Sequence, residues 1–316
     1  MLYINEEDMM RMAFCWEDTI QVITSAVECI AEGEYSQPLK PYLRFKNQSN
    51  RIIAMPAYIG GKIDSAGIKW ISSFPNNIER NMPRASSVTV LNDTLTGVPI
   101  AIFNTPLISI IRTASVSGYI LKHYLSYRKR KKYNVGIIGW GPIGQNHYQM
   151  CKRILKNRID RVYIYDIRNK VVVDEDITIC KSWQEVYEKA DIFITCTSTL
   201  ERYINLPAFE SKLVMDVSLR DFKEEALDSF SKPFITDDWN EVNRENTDIE
   251  YYSKVGKLKE KDVISLCDIN EKGMNAFYIE NATVFFAPMG MGVFDIAIAN
   301  YFYQKALQIG VGKCMV

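Results

Sequence analysis

Hydrophobic spacing divides the chain into segments of different character. From Trp16, the apolar residues Ile20, Val22, Ile23, Ala26, Val27 and Ile30 recur every three or four positions and stop at Gly33, which predicts one amphipathic helix over 16–31. Ahead of it, Asn5-Glu-Glu-Asp8 reads as a capped helix start with acids in the first turn. The pattern then changes to short apolar runs: 42–46, 51–57, 67–73, 86–92 and 99–104. Turn-forming groups such as Asn47-Gln-Ser-Asn50, Gly60-Gly61 and Asp93-Thr-Leu-Thr-Gly97 separate them. These read as five antiparallel strands, followed by a long helix from Thr105 to about Tyr124.

Beyond residue 133 helix and strand alternate. Strands are predicted at 161–166, 191–196, 212–217, 233–236 and 283–287, with a helix at 183–189. Alternation of this kind implies a parallel sheet with right-handed crossovers. A final helix over 292–309, with small and aromatic residues on one face, is expected to return to the first domain. The fold class is therefore α/β: a Rossmann domain over 116–295, joined to a strand-rich α/β domain made of 1–115 and 296–316.

The Rossmann reading rests on Val135-Gly-Ile-Ile-Gly139-Trp-Gly141-Pro142-Ile143-Gly144-Gln145. A strand runs into G-x-G-x-x-G, a helix follows, and the next strand ends on Asp166. That is the layout of a dinucleotide-binding βαβ unit. Gly139 makes the tight turn, Gly141 lets backbone approach a pyrophosphate, and Gly144 lets helix and strand pack closely. The pyrophosphate would lie at a helix N-terminus, where free N–H groups and the dipole favour an anion. A carboxylate at Asp166 suits the ribose hydroxyls of NAD and repels the 2′-phosphate of NADP, an effect Arg168 partly offsets. Thr195, Cys196, Thr197 and Ser218, at strand ends, are placed on the cofactor side, with Cys196 a packed thiol rather than a nucleophile. His147 reads as a packed or surface helix residue, and Gly290 and Gly292 as points of close backbone approach near the cofactor.

Composition narrows the classes. With 38 basic and 38 acidic residues the chain gives no sign of a nucleic-acid or anionic-membrane partner, so Arg128-Lys-Arg-Lys-Lys132 reads as a solvated turn between domains. Seven scattered cysteines without a C-x-x-C pair point to free thiols in a reducing cytoplasm. The two histidines make no metal-ligand pattern, and no apolar run approaches the length of a membrane span.

Several cations sit among apolar runs before the nucleotide motif: Arg44, Lys69, Arg84 and Arg112. Lys69 is either an edge-protecting charge or a site residue, and Arg112 either a carboxylate fork or half of a structural ion pair. Gly67-Ile-Lys69, Leu91-Asn-Asp-Thr-Leu-Thr-Gly-Val-Pro99, Ile111-Arg-Thr-Ala114, the glycine motif and Met291-Gly-Val-Phe-Asp295 together resemble the ornithine cyclodeaminase/μ-crystallin family over nearly the whole chain. The resemblance implies a dimerising first domain, bound NAD and redox chemistry on an amino or imino acid. By position, Lys69 is the catalytic lysine beside the substrate. Arg112 and, near it in role, Arg44 hold substrate carboxylate, Ser86 is a small polar contact, and Arg112 with Thr113 also reaches the cofactor. Where cyclodeaminases carry an aspartate for the ornithine amine, this chain has Leu219, with Asp216 and Asp221 out of register. Segments such as Pro38-Leu-Lys-Pro-Tyr-Leu-Arg44 and Asp237-Asp-Trp-Asn-Glu-Val-Asn-Arg-Glu-Asn246 are similar to one branch of the family. That branch consists of NAD-dependent dehydrogenases that split a glutamate–diaminopropionate adduct, in pathways to siderophores or peptide antibiotics. Three carboxylates on such a substrate would call on Arg44, Lys69, Arg84 and Arg112. Cyclodeaminase or ketimine reductase activity, or ligand binding without catalysis, are the competing readings.

Overall fold

The computed structural model describes residues 1–168, 174–209, 211–269 and 282–315. They form two compact units, Met1–Tyr119 with Gly290–Val316, and Ile120–Met289. The expected breaks, 115/116 and 295/296, differ by a few residues. The later difference matters, because it assigns Gly290 to Asp295 to the strand-rich unit.

In that unit strands β1 (Leu2–Asn5), β2 (Tyr35–Ser36), β3 (Tyr42–Leu43), β4 (Arg51–Ile59), β5 (Ser65–Ser73), β6 (Ala85–Asn92) and β7 (Pro99–Asn104) build one sheet. β4 to β7 are an antiparallel meander, as the turn signals require. β1 and the two-residue strand Lys313–Cys314 extend it past β7, and both are too short to show a period in the sequence. The first helix, Glu6–Arg11, starts with a reciprocal capping box between Asn5 and Asp8.

The register sorts side chains cleanly. Met55, Lys69 and Thr89 stand on one face with Ala57, Gly67, Ile71, Ser73, Ser87 and Leu91, while Ile68, Trp70, Ser72, Ser86 and Val88 stand on the other. The helix Gly292–Ile309 packs against β4 to β6 and against the helix Trp16–Ala31. Gly67 lets it approach: a Cβ there would lie 3.1 Å from Ile296 Cδ1 and 2.1 Å from the Val90 carbonyl oxygen.

The second unit is a parallel sheet of β8 (Tyr133–Ile138), β9 (Ile159–Tyr165), β10 (Ile177–Ile179), β11 (Ile192–Thr195), β12 (Leu213–Asp216), β13 (Phe234–Thr236), β14 (Val263–Ser265) and β15 (Val284–Ala287). Their spatial order is β10-β9-β8-β11-β12-β15-β13-β14. The expected strands are present; β10 and β14, three residues each, are additions that the sequence pattern does not announce. The helix Leu107–Tyr127 begins and ends close to the predicted span. Arg128–Lys132 is a loop in which Arg130 pairs with Asp191, and Arg158 lies over the Tyr133 ring.

An aromatic cluster anchors this unit. Phe222 lies 5.1 Å from Phe285, 6.0 Å from Phe230 and 6.4 Å from Phe193, ring centre to ring centre, with no solvent exposure. Edge-to-face contacts of this kind add to the burial of area. Truncation with Phe222→Ala should cost about 3–5 kcal/mol of stability, read as a lower midpoint in urea denaturation at unchanged secondary structure.

Candidate active site

In the parallel-sheet unit the chain leaves β8 into Gly139, which has φ +91°. A Cβ there would meet the Cys196 carbonyl oxygen at 2.4 Å, and one at Gly144 would lie 2.0 Å from the Gly139 carbonyl oxygen. At Gly141 the nearest atom to a built Cβ, Arg168 Nη2, is 4.0 Å away, so the outer side of the loop is open. Gly141 is the N-cap of the helix Pro142–Leu155, has no side-chain cap, and is followed by Pro142, which has no N–H to lose. Ile143 occupies the same first turn. An open, uncapped helix start behind a tight glycine turn fits a pyrophosphate.

Asp166 is buried at the tip of β9. It accepts from Trp140 N at 2.7 Å and Arg168 N at 2.8 Å, and its Oδ1 lies 3.4 Å from Arg168 Nε. Burial opposes its ionisation, but these donors outweigh it and hold the carboxyl below its usual range. Two carboxylate oxygens offer about four acceptor positions, so acceptor capacity remains.

At the ends of β11 and β12 the expected cofactor-side residues are bonded to one another. Thr195 is a correction: it is fully buried and gives its hydroxyl to Asp216 Oδ1 at 3.0 Å, so it supports this rim from beneath. Thr197 donates its hydroxyl to Asp221 at 2.7 Å and its N–H to Ser218 Oγ at 3.2 Å, and Ser218 also bonds Asp221. Burial keeps the Cys196 thiol protonated, consistent with a packed role. His147 is buried, faces the Ile143 carbonyl at 2.8 Å, and is held neutral, its pKa pushed down to about 4 by burial.

Leu219 sits in this rim with φ +68°, its N–H bonded to Asp216 Oδ1 and its carbonyl accepting from Asp248 N. Its side chain is buried in the apolar cluster with Phe222. Asp248 receives Arg202 Nε at 2.6 Å and the N–H groups of Asp221 and Phe222, which fixes the loop shape. Burial, reinforced by Asp248 and Asp221, holds Asp216 well above the usual carboxyl range.

The strand-rich unit holds a different constellation. Lys69 projects from the middle of β5 onto the helix-covered face and is only 1% exposed. Its Nζ bonds Asp295 Oδ2 at 2.7 Å and Ser109 Oγ at 3.2 Å. The other oxygen of Asp295 receives Arg112 Nε at 3.0 Å, and Asp295 itself has no solvent exposure. One carboxylate from near the C-terminus thus joins two cations from the first half of the sequence. Lys40, also buried, donates to the Gly290 carbonyl at 2.7 Å. Gly290, at φ +86°, lies against the Arg112 guanidinium; a Cβ there would be 2.5 Å from Nη1. Its close approach is therefore to Arg112. Gly292 faces Gln37, Met55 and Ala57.

Among the described residues, Lys69, Arg112 and Lys40 cluster around the Asp295 carboxylate. Burial drives the Lys69 ammonium down to about 7; Asp295 opposes this, while Arg112 and Lys40 add to it. Lys69 is thus poised to change charge near neutral pH.

The other expected site residues fall in varied places. Arg44 stacks 5.5 Å over the Tyr42 ring and donates to the Gln48 carbonyl, and Arg84 donates to Ser73 Oγ at 3.1 Å. Ser86 lies on the opposite face from Lys69 and is exposed; Ser87, one residue on, occupies the Lys69 face and bonds the Thr105 carbonyl. Thr113 gives its hydroxyl to the Ser109 carbonyl within its own helix. Asp295 is the site residue that sequence reasoning passes over, although its motif is visible. An acid in an apolar stretch is the available signal.

The model of the ornithine cyclodeaminase/mu-crystallin family matches residues 3–310. The chain belongs to that family. Among curated proteins it is 32% identical to the N-((2S)-2-amino-2-carboxyethyl)-L-glutamate dehydrogenase of Staphylococcus aureus, across 100% of this chain and 98% of that protein. It is 26% identical to the alanine dehydrogenase of Archaeoglobus fulgidus, across 94% and 92%. The fold matches the Thermococcus litoralis Delta(1)-pyrroline-2-carboxylate reductase, solved with NADH and L-proline, with TM-score 0.88 at 24% identity and full coverage of both chains. An archaeal alanine dehydrogenase dimer with bound NAD follows at TM-score 0.83, 21% identity and coverage of 100% and 98%. One unit thus carries a dinucleotide loop, and the other a buried Lys69–Asp295–Arg112 cluster. The glycine loop is directly testable. Gly144→Ala, forced against the Gly139 carbonyl, should weaken NADH binding at least tenfold in a fluorescence titration of protein that circular dichroism shows to be folded.

Proposed function

We propose that this enzyme is an NAD-dependent amino-acid dehydrogenase acting on N-(2-amino-2-carboxyethyl)-L-glutamate. Oxidation at the glutamate α-carbon gives an imine. Water then cleaves it, so that substrate, NAD⁺ and water yield 2-oxoglutarate, L-2,3-diaminopropionate, NADH and a proton. The observation that carries this reading is the Lys69–Asp295–Arg112 constellation, set in a chain that matches a dehydrogenase for this substrate along its full length.

The Gly139–Gly144 loop and Asp166 would hold NAD, which would supply the hydride acceptor. Arg44 and Arg112 clamp carboxylates; Arg112 has only Nε engaged among its described contacts, leaving its terminal nitrogens for a bidentate pair. Neutral Lys69 takes the proton of the substrate amine as the α-carbon is oxidised, and later serves the attacking water. Asp295 keeps that amine aimed. Thr197, Ser218 and Arg168 complete the cofactor side by proposal, as Arg84 does the substrate side. Leu219 speaks against ornithine cyclisation, because an apolar side chain there offers nothing to a side-chain ammonium.

The opposite sheet face supports the remaining expectations. Ile68, Val88 and Val90 surround Trp70, 45% exposed, and Tyr58, 38% exposed, on a face suited to pairing two copies into a homodimer. No disulfide joins the seven cysteines, and no described helix is long and apolar enough to cross a membrane, in keeping with a cytoplasmic enzyme feeding siderophore or peptide-antibiotic synthesis.

Absorbance at 340 nm tests the activity: NADH should form with the adduct and not with ornithine or lysine. Turnover of ornithine to proline would replace this reading with cyclodeaminase, and binding of NADH with no turnover of any of them would replace it with a ligand-binding role. Because the Lys69 pKa lies near 7, kcat/KM should rise with pH through about 7 as the neutral form appears. Lys69→Ala should lose roughly 100-fold or more in kcat while still binding NADH. In Asp295→Asn the carboxylate that favours the ammonium is gone, so the inflection should move to lower pH. Trp70→Glu should shift the protein to monomer in analytical ultracentrifugation.

A further inference from the structure

Residues 37–41 supply a part of the strand-rich unit to which the reaction above gives no task. Gln37 and Lys40 each stand directly before a proline, Pro38 and Pro41, whose rings disfavour helical backbone and keep both residues extended. The Pro41 carbonyl accepts from Ala54 N at 3.3 Å, which ties the segment to β4. From there two side chains reach the start of the helix Gly292–Ile309, 256 and 250 residues along the chain. Gln37 Oε1 accepts from Val293 N at 3.1 Å and supplies the side-chain cap that Met291 lacks. Lys40, 2% exposed, donates to the Gly290 carbonyl at 2.7 Å. Gly290 in turn has φ +86°, and a Cβ on it would stand 2.5 Å from Arg112 Nη1 and 3.1 Å from both Cζ and Nη2. A side chain at 290 would thus fall at the terminal end of the guanidinium, the end that remains once Asp295 has taken Nε.

We propose that Lys40 is a positioning residue of this cluster: by holding the Gly290 carbonyl it fixes the backbone beside the Arg112 terminal nitrogens, and so the direction in which Arg112 meets a carboxylate. It rests on the reading above, in which Arg112 binds a substrate carboxylate. A planar fork makes a two-point contact only when its plane is held. Asp295 holds Arg112 at Nε, and Gly290, pinned by Lys40, borders the terminal nitrogens. An ammonium suits the bond to Gly290, since a charged donor makes a stronger bond to a carbonyl than a neutral one. Lys40 also brings charge. Charged groups act on Lys69 from three elements: Asp295 on the last helix favours the ammonium, whereas Arg112 on the helix Leu107–Tyr127 and Lys40 on this segment oppose it. The strand partners of Lys69, Met55 on β4 and Thr89 on β6, carry no charge. Removing the Lys40 charge therefore favours the Lys69 ammonium and moves its titration to higher pH.

The test measures 2-oxoglutarate binding to the NADH-loaded enzyme by isothermal titration calorimetry over a range of pH. Wild type should bind it with an affinity that falls as pH rises through about 7, where Lys69 loses its charge. Lys40→Met keeps an unbranched apolar stem without donor or charge. It should weaken binding roughly 10- to 100-fold, leave NADH affinity unchanged and move the fall to higher pH. Lys40→Arg retains charge and donor, so it should keep the fall near its wild-type pH and recover part of the affinity. A tie that only braced the fold would lower the melting temperature without moving the pH of the fall. Should Lys40→Met fail to fold, Lys40→Gln removes the charge with a polar group in place and is read in the same way. Unchanged 2-oxoglutarate affinity in the neutral variant, a loss matched by an equal loss of NADH affinity, a fall that stays at the wild-type pH, or no binding by wild type overturns the positioning role. NADH formation from the adduct decides the substrate reading separately. A wild type and variants that follow this pattern without oxidising the adduct refute that reading alone. Oxidation of the adduct with unchanged 2-oxoglutarate binding in the neutral variant refutes the positioning role alone.

Discussion

One buried carboxylate organises the strand-rich unit. Asp295 takes Lys69 on one oxygen and Arg112 on the other, out of reach of solvent. Removing one partner from a buried ion pair typically costs about 3–5 kcal/mol, because the remaining charge is left stranded. The C-terminal helix, β5 and the helix Leu107–Tyr127 are thereby tied together at the residues that chemistry would use. Stability alone does not explain such an arrangement, since apolar replacements of buried ion pairs are often as stable. What the ions supply is a lysine whose charge is balanced between burial and a single anion.

A similar crowding of charge shapes the rim of the parallel sheet. Asp216, Asp221 and Asp248 lie close together with Arg202 as the cation bonded to Asp248, and burial together with the neighbouring acids raises the Asp216 carboxyl well above its usual range. Their hydrogen bonds hold the backbone from Ser218 to Phe222 in a shape that includes a leucine at positive φ. Leu219 stands where a cyclodeaminase would carry its aspartate, so the loop's scaffold is rich in acids while that one position is apolar. In the function proposed above, that apolar position is what disfavours a substrate carrying a side-chain amine.

Much of this was legible in the sequence, for local reasons. Helix 16–31 and the meander β4 to β7 follow from apolar period, and turns from glycine, asparagine and proline. The dinucleotide loop is a contiguous motif whose glycines answer to atoms only a few residues or one strand away. Leu219 could be counted from a nearby lysine, and Lys69 and Arg112 were recognisable as cations where apolar neighbours make charge costly.

Tertiary structure decided the rest. The partner of Lys69 lies 226 residues along the chain, a separation no spacing rule spans. Which of two adjacent serines shares its face depended on strand register, where a shift of one residue exchanges the faces; hence Ser87 and not Ser86. Thr195, placed on the cofactor side by its position at a strand end, is buried against Asp216 of β12. Sequence determined which groups were available and which local shapes they prefer, because period and turn chemistry act over a few residues. Packing decided which charges meet, because only the folded chain sets how deeply each is buried and what stands opposite.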